Sequence, residues 1–407
     1  MRVSSSTLFD SNVASLSQQQ SRLMQTQQQV STGRRILTPA ADPVAAARAL
    51  DLSQSDAVNT QYTSNRNAAR HTLSLAESNL QSVTTLLQDV KTATVTAGNG
   101  SLNNSDRQTM AIDLASRLEE LVGLANSTDG VGNYLFSGFQ SKTQPFVNTA
   151  TGVTYAGDDG LRMMQVSASR QMPSSDSGAD IFMRIKNGNG TFVTQAAAAN
   201  TGSGVASLGN VTNPAAVTGH NYQISFSIAA GVTTYSVTDN STLPTPTVLS
   251  TGNPYVSGQA ISFDGMQFDI QGAPANGDSF TVTPSVNESV FKTISDLITA
   301  LKTPVSSTAP GSAALLSGSL SRGLNNLDNA LNKVLTTRSS LGLRLNEIDA
   351  LQTTGDDLGL QFQQALSQLQ NVDYNKALSD LTQQQISLQA AQQSFVKVSN
   401  LSLFNYL

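Results

Sequence analysis

The stretch LNNLDNALNKVLTTRSSLGLRLNEIDALQTTGDDLGLQFQQALSQLQ fills residues 324–370, and NVDYNKALSDLTQQQISLQAAQQSFVKVSNLSLFNYL follows over 371–407. Apolar residues recur at three- and four-residue steps: Leu324, Leu327, Leu331, Val334, then Leu341, Leu345 and Ile348. A weak patch at Gly355 to Gly359 interrupts the pattern, which returns at Phe362, Leu366 and Leu369. A second run takes in Ala377, Leu381, Leu388, Ala391, Phe395 and Val398. Such spacing marks an apolar seam on a helix that must pack against another helix. Continuing the first register beyond Leu369 lands on Asp373 and Lys376, so the seam restarts one residue later. That shift predicts a helix break at Val372-Asp373-Tyr374, with Asp373 as the cap.

The other end of the chain carries a matching seam. Phe9, Val13, Leu16, Gln20, Leu23, Gln27 and Val30 follow the same rule. Gln20, Gln27 and, in the last run, Gln384 fall at seam positions, where polar residues lower stability but select register and partner. Like stripes at the two ends, with unlike material between, describe a chain that runs out, around and back. The fold class read from this is α+β and multidomain: a long antiparallel α-helical coiled coil or bundle formed by the N- and C-terminal segments, with inserted β-rich domains.

Size and composition bound the function. A chain of 407 residues suits two to four domains. A net charge of −5, without long Lys/Arg runs, argues against nucleic acid as a partner. With 0 cysteines there is no disulfide framework and no thiolate site. No apolar run approaches the roughly 20 residues that span a bilayer, so no membrane insertion is expected. Met1 to Asp10 lacks the apolar core of a signal peptide, so export, if any, needs no cleaved leader.

In chain order, a first helix runs from near Phe9 to Val30, with Gly33 beyond its end. Asp42-Pro43 starts a second helix, Asp as cap and Pro in first position. Unbroken to Ala97, that helix is roughly 80 Å long at 1.5 Å per residue. Ser105-Asp106-Arg107-Gln108 reads as a capping box opening a third. From about Thr128 to Asn287 the composition turns to Gly, Thr, Ser, Val and Asn with period-two stretches, as in Tyr222-Gln-Ile224-Ser-Phe226. No Lys or Arg occurs between Asn187 and Val290. The domains read are 1–42 with 370–407 as an inner coiled-coil base, 43–186 with 291–369 as a helical bundle carrying a small β segment, and 187–290 as an inserted β-rich outer domain. Thr303 to Gly311 reads as a linker.

Chemistry is sparse. The two histidines, His71 and His220, lie in different regions, one on a polar helix face and one in a Gly/Asn turn. Asp158-Asp159 and Asp356-Asp357 are paired carboxylates, better read as solvated charge than as an acid/base pair. Gly188-Asn189-Gly190 lacks the strand–glycine–helix setting of a phosphate loop. No catalytic, cofactor-binding or metal-ligating residue is assigned, and an enzyme is the last of the readings.

The motifs also resemble a known family. Ser31-Thr32-Gly33-Arg34-Arg35-Ile36, followed by Asp42-Pro43-Val44-Ala45-Ala46, is similar to the N-terminal motif of bacterial flagellins and flagellar hook-associated proteins. The stretch from Asn126 through Tyr134, Phe136 and Gly138 resembles the helix-to-β passage of the hook–filament junction (FlgL-type) family. Tyr155-Ala-Gly157 and Gln165 to Arg170 fit its next β segment, and Asp373-Tyr374 with the final Ser402 to Leu407 fit its C-terminal end. Residues 187–290 are the departure, and their role is not carried over. The resemblance implies a ring of about eleven copies of the chain, seated between the first hook-associated protein and flagellin. It implies passage, unfolded, through the flagellar type III apparatus to the cell exterior, with the export chaperone FlgN on the C-terminal segment.

The assembly seam read from the residues is Phe9, Val13, Leu16, Leu23, Val30, Leu381, Leu388, Phe395, Val398, Leu403, Phe404 and Leu407. The residues carrying the family motif are Gly33, Arg35, Asp42, Pro43, Tyr134, Phe136, Gly138, Asp373 and Tyr374. The reading is a structural adaptor; the alternatives are flagellin itself and, in another class, a surface adhesin binding glycan through 187–290. In the free monomer the two ends are expected to be largely disordered. Glutamine, alanine and valine in their seams bury little, against an ordering cost of about 1–2 kcal/mol per residue. Hydrogen exchange on dilute monomer tests this: fast exchange is expected in 8–30 and 381–398, and strong protection there refutes it.

Overall fold

The computed structural model describes residues 5–241, 245–306 and 308–400, with the side chains at 5, 6, 8, 310 and 398–400 outside the described set. Local chemistry sets the helix ends. Helix α1 (Ser5–Thr32) stops at Gly33, whose φ of 69° suits only glycine without strain. Helix α2 (Pro43–Ala97) begins where the Asp42 carboxylate accepts the Ala45 N–H at 3.1 Å. Its 55 residues run without a break. Helix α3 (Asn104–Ala125) is capped two residues earlier than the sequence suggested. Asn103 accepts from the Asp106 N–H at 2.9 Å and Asp106 accepts from the Asn103 N–H at 3.1 Å, a reciprocal box of the Asn/Asp kind. Helix α4 (Val290–Lys302) follows the β region; α5 (Pro310–Gln370) and α6 (Tyr374–Asn400) close the chain. The break between α5 and α6 falls where the seam shift placed it, and Asp373 Oδ1 accepts from the N–H groups of Asn375 (3.0 Å) and Lys376 (3.2 Å).

The chain divides into two units, Met1–Arg66 with Asp349–Leu407, and Asn67–Ile348. In the first, α1 packs on α6 and the start of α2 lies along the end of α5. The weak patch of the α5 seam belongs here, and the helix continues through it. Arg66, only 2% exposed, donates to Gln352 Oε1 at 2.9 Å and Thr63 Oγ1 at 2.8 Å. A Cβ on Gly355 would lie 2.2 Å from Arg66 Nη2. Asn59 Nδ2 donates to the Gly355 carbonyl at 2.7 Å. The missing side chain is therefore room for a buried arginine, not a weakness in the helix.

The second unit holds the larger core. Leu73, Leu80 and Leu87 of α2 and Leu327, Val334, Leu341 and Ile348 of α5 recur at heptad spacing and are buried, as are Leu114 and Leu121 of α3 and Ile294 and Leu297 of α4. Two hairpins follow α3: β1 (Phe146–Thr149) with β2 (Gly152–Tyr155), and β3 (Met163–Ser167) with β4 (Arg170–Pro173). Phe136, Phe146, Phe182 and Phe291 stack at centroid separations of 5.2–6.0 Å and tie this β segment to α4.

Next come β5 (Ile185–Lys186), β6 (Phe192–Ala196), β7 (Val205–Ala206), β8 (Asn210–Val211), β9 (Tyr222–Ala229), β10 (Val232–Asp239), β11 (Thr247–Pro254), β12 (Ala260–Phe263), β13 (Met266–Gln271), β14 (Ser279–Pro284) and β15 (Asn287–Glu288). One sheet has the order β11-β10-β9-β14-β6; in the other, β13 lies between β12 and β7 and also pairs with β8. Alternation builds the core, with Tyr222, Ile224 and Phe226 of β9 meeting Met266, Phe268 and Ile270 of β13 and Phe280 and Val282 of β14. The incoming β5 and outgoing β15 pair antiparallel. Asn326 Oδ1 of α5 accepts the Gly188 N–H at 3.0 Å, and Asn329 Nδ2 donates to the Lys186 and Gly188 carbonyls at 2.9 Å.

The arginine room gives a test with opposite signs. Gly342 of α5 has nothing within 4 Å of a would-be Cβ, so Gly342→Ala is expected to raise stability by up to about 1 kcal/mol through helix propensity. Gly355→Ala should lower it by about 1–3 kcal/mol, because Arg66 must leave its partners. Thermal unfolding reads both, and a stabilised Gly355→Ala chain refutes the assignment.

Candidate assembly interface

Two helices meet along the seam formed by the chain ends. Ala377, Leu381, Gln384, Leu388, Ala391 and Phe395 of α6 all turn away from solvent, the register read from the sequence. On α1 the register is different in part. Phe9, Leu16, Leu23 and Val30 recur at intervals of seven, and Leu16, Leu23 and Val30 are half-buried. Between them the protected positions are Asn12, Gln19 and Thr26, not Val13, Gln20 and Gln27, which are exposed. A heptad stripe permits either the +3 or the +4 neighbour as its second seam position. The apolar Val13 favoured the wrong one. Val13 is 44% exposed, and Phe9, although 51% exposed, stacks on Phe395 at 5.3 Å. Val398 lies in α6 with its side chain outside the described set, and Leu403, Phe404 and Leu407 lie outside the described residues.

Gln19 Oε1 and Gln384 Oε1 are both buried without a hydrogen-bond partner. The ring pair Phe9–Phe395 and the Gly33–Tyr374 approach fix an antiparallel register that sets these two glutamines near the same level. Each terminal helix has one buried residue among its described side chains, Thr26 in α1 and Ala377 in α6. Their outer faces carry Val13, Met24, Leu378, Ile386 and Val396, each at least 44% exposed.

Six of the motif residues converge at the base of this pair. A Cβ on Gly33 would lie 2.9 Å from the Tyr374 hydroxyl. The Gly33 carbonyl accepts the Val372 N–H at 2.9 Å, and the Arg35 N–H donates to the Gln370 carbonyl at 2.7 Å. The Arg35 guanidinium donates to the Leu369 carbonyl from Nε (3.2 Å) and Nη2 (2.9 Å), and pairs with Asp42 at 3.3 Å. One cation thus satisfies the open end of α5 and the capping carboxylate of α2, with Pro43 next to it. Asp373 caps α6 beside Tyr374.

The other three motif residues lie in the β segment of the second unit. The Tyr134 N–H donates to Ser141 at 2.8 Å. Phe136 is buried, and its carbonyl accepts the Tyr155 hydroxyl at 3.0 Å. Gly138 has φ of 70°, and a Cβ there would fall 2.2 Å from Asp158 Oδ1. Asp158 is therefore not idle solvated charge. It accepts N–H groups of Phe139 (2.8 Å), Gly160 (2.7 Å) and Gln140 (3.1 Å), which hold its carboxyl below the usual range. Asp159 pairs with Arg184 at 2.6 Å. His220 donates from Nδ1 to the Asp239 carboxylate at 2.7 Å, beside Tyr222, whose phenol is pushed up to about 12 by burial and so stays a donor to Asp264. Among the described residues no group of three or more His, Cys, Asp or Glu side chains is placed to hold a metal ion, and no helix is long and apolar enough to cross a membrane.

Comparison with known proteins agrees with this layout. Residues 3–141 match the bacterial flagellin N-terminal helical region and residues 324–407 the bacterial flagellin C-terminal helical region. Residues 195–284 match the D2-like domain of flagellar hook-associated protein 1. Flagellar hook-associated protein 3 of Salmonella typhimurium is 30% identical over 406 residues, 99% of each chain. Among solved structures, the flagellar junction protein FlgL of Legionella pneumophila is 32% identical with a TM-score of 0.71, over 80% of this chain and 100% of that one. FlgL of Xanthomonas campestris is 30% identical with a TM-score of 0.71, over 78% and 99%. A likeness that runs through both terminal helices and the β-rich middle alike makes the chain a member of the flagellar hook-associated protein 3 (FlgL) family.

Proposed function

We propose that the chain is a structural adaptor that joins the ring of the first hook-associated protein to the flagellin filament, assembling through its terminal helices. The observation that carries the reading is the α1–α6 pair, 28 and 27 residues long with one buried residue each among described side chains. Such a pair gains too little from its own contacts to offset the ordering of its backbone. Its exposed valine, leucine, isoleucine and methionine side chains are the surface that neighbouring copies in a ring would cover. The junction role of the Legionella relative supports this place in the flagellum. The same kinship supports delivery to the cell exterior through the flagellar type III apparatus, with FlgN holding the C-terminal segment beforehand. Residues 187–290 form an outer domain that takes no part in the seam. The paired β5 and β15 at its base support an independent unit.

A deletion strain tests the role. Hooks without filaments, and flagellin lost to the medium, are expected; filaments of normal length would exclude a junction adaptor. Complementation then resolves the parts. Leu16→Asp and Leu388→Asp should fail to restore motility, since an unpaired charge in the seam costs several kcal/mol, while Gln18→Asp and Gln383→Asp, on exposed faces away from the apolar ones, should restore it. A chain with a short Gly/Ser linker in place of residues 188–286 should also restore filaments. Equal motility from all four substitutions removes the seam from assembly, and failure of the shortened chain to fold makes the outer domain part of the core.

A further inference from the structure

Arg107 stands one turn into α3 and is 7% exposed. Its Nε is buried without a hydrogen-bond partner. A guanidinium does not surrender its proton in a protein, so the charge stays in place with Nε lacking an acceptor, while Nη1 and Nη2 are not among the buried unpartnered atoms. Its own helix offers no carboxylate one turn away. The positions three and four residues away are Asn103, Asn104, Met110 and Ala111. The adjacent Asp106 is turned into the cap, where it accepts the Asn103 N–H at 3.1 Å. Among the described ion pairs, Arg117 of the same helix takes Asp113 and Asp89.

Arg107 lines an open cleft of about 400 Å³, with Gly98, Asn99 and Gly100 at the end of α2 on one side and Leu320, Ser317 and Ser321 of α5 on the other. No Asp or Glu lines it. The space far exceeds the roughly 30 Å³ share of one water molecule. Ser317 and Ser321 are exposed and one helical turn apart, so their hydroxyls border the mouth while the arginine lies deeper. A buried cation, rim hydroxyls and an absence of lining acids make a receptor for one negative group.

We propose that this cleft is an oxyanion site, in which Arg107 binds a single carboxylate or phosphate group. The group comes either from a small solute or from an acidic side chain of a second copy of the chain. Nothing in the terminal seam enters this assignment, so it stands or falls apart from the assembly reading.

The full chain is titrated with inorganic phosphate at constant ionic strength, with chloride making up the balance, and followed by calorimetry and thermal unfolding. Saturable binding with a raised melting temperature is expected in the natural chain. Arg107→Met should weaken it about ten- to a hundredfold, the usual effect of losing a charged hydrogen bond, and Arg107→Lys should retain part of it. Sedimentation separates the sources. Phosphate binding with unchanged self-association identifies a solute site. Self-association that phosphate reverses and Arg107→Met abolishes identifies a side chain of a second copy. If the natural chain neither takes up phosphate nor shows phosphate-sensitive association, the proposal is overturned, whatever the variants do. Binding that is equal in the natural chain and in a folded Arg107→Met chain overturns it too.

Discussion

Two helices laid side by side can cover one stripe on each other and no more. Every feature of the terminal pair follows from that limit. In α1 and α6 the covered stripe is heptad-spaced and narrow, and it includes Gln19 and Gln384 with buried carbonyl oxygens lacking partners. Buried polar atoms without partners oppose packing. A chain that relied on this pair for its own stability would gain by replacing both with leucine. Keeping amides there makes the pair adjustable, since an amide selects which register and which neighbour satisfies it.

The rest of the molecule is built the other way. In the second unit, leucine and valine at heptad spacing on α2 and α5 are fully buried, and four phenylalanines lock the β segment to α4. Cations sit where two elements must be held in one relation. Arg35 joins the end of α5 to the cap of α2, Arg338 pairs with Glu77 at 2.8 Å, and Arg344 pairs with Asp176 at 2.7 Å. The last two are partly shielded, so they fix geometry more than they add stability.

How much of this was legible depended on how local the cause is. The break at Asp373 could be read because a register shift and a capping residue fall within a few positions. The start at Asp42-Pro43 could be read for the same reason. The phase of the α1 seam could not, because a seven-residue repeat of Phe9, Leu16, Leu23 and Val30 is satisfied by either intervening set. Thr26, at 8% exposure, wins its place by donating its hydroxyl back to the Arg22 carbonyl at 3.1 Å, a polar residue that brings its own acceptor. The glycine at 355 looked like a weak point because its reason, Arg66, lies on a helix from the opposite end of the chain. Asp158 looked like free charge because the N–H groups it gathers are defined only once Gly138 has turned the backbone beneath it.

Gly33 shows why the residues at this junction act as a set and not a list. Its φ of 69° ends α1. Its lack of a side chain admits the Tyr374 hydroxyl, and its carbonyl takes the Val372 N–H just before α6 begins. A residue with a side chain at 33 would meet two separate penalties, backbone strain and a clash with tyrosine. Arg35, two residues on, then closes the same junction from the other side through the Leu369 carbonyl. The helix that starts the chain and the helix that finishes it are thus anchored at one point, and from that point they run together with little holding them beyond a single stripe. An element fixed firmly at its root and weakly along its length can be packed by neighbours without disturbing the core that carries it. That division of stability suits a subunit whose ends have one set of contacts when alone and another in an assembly.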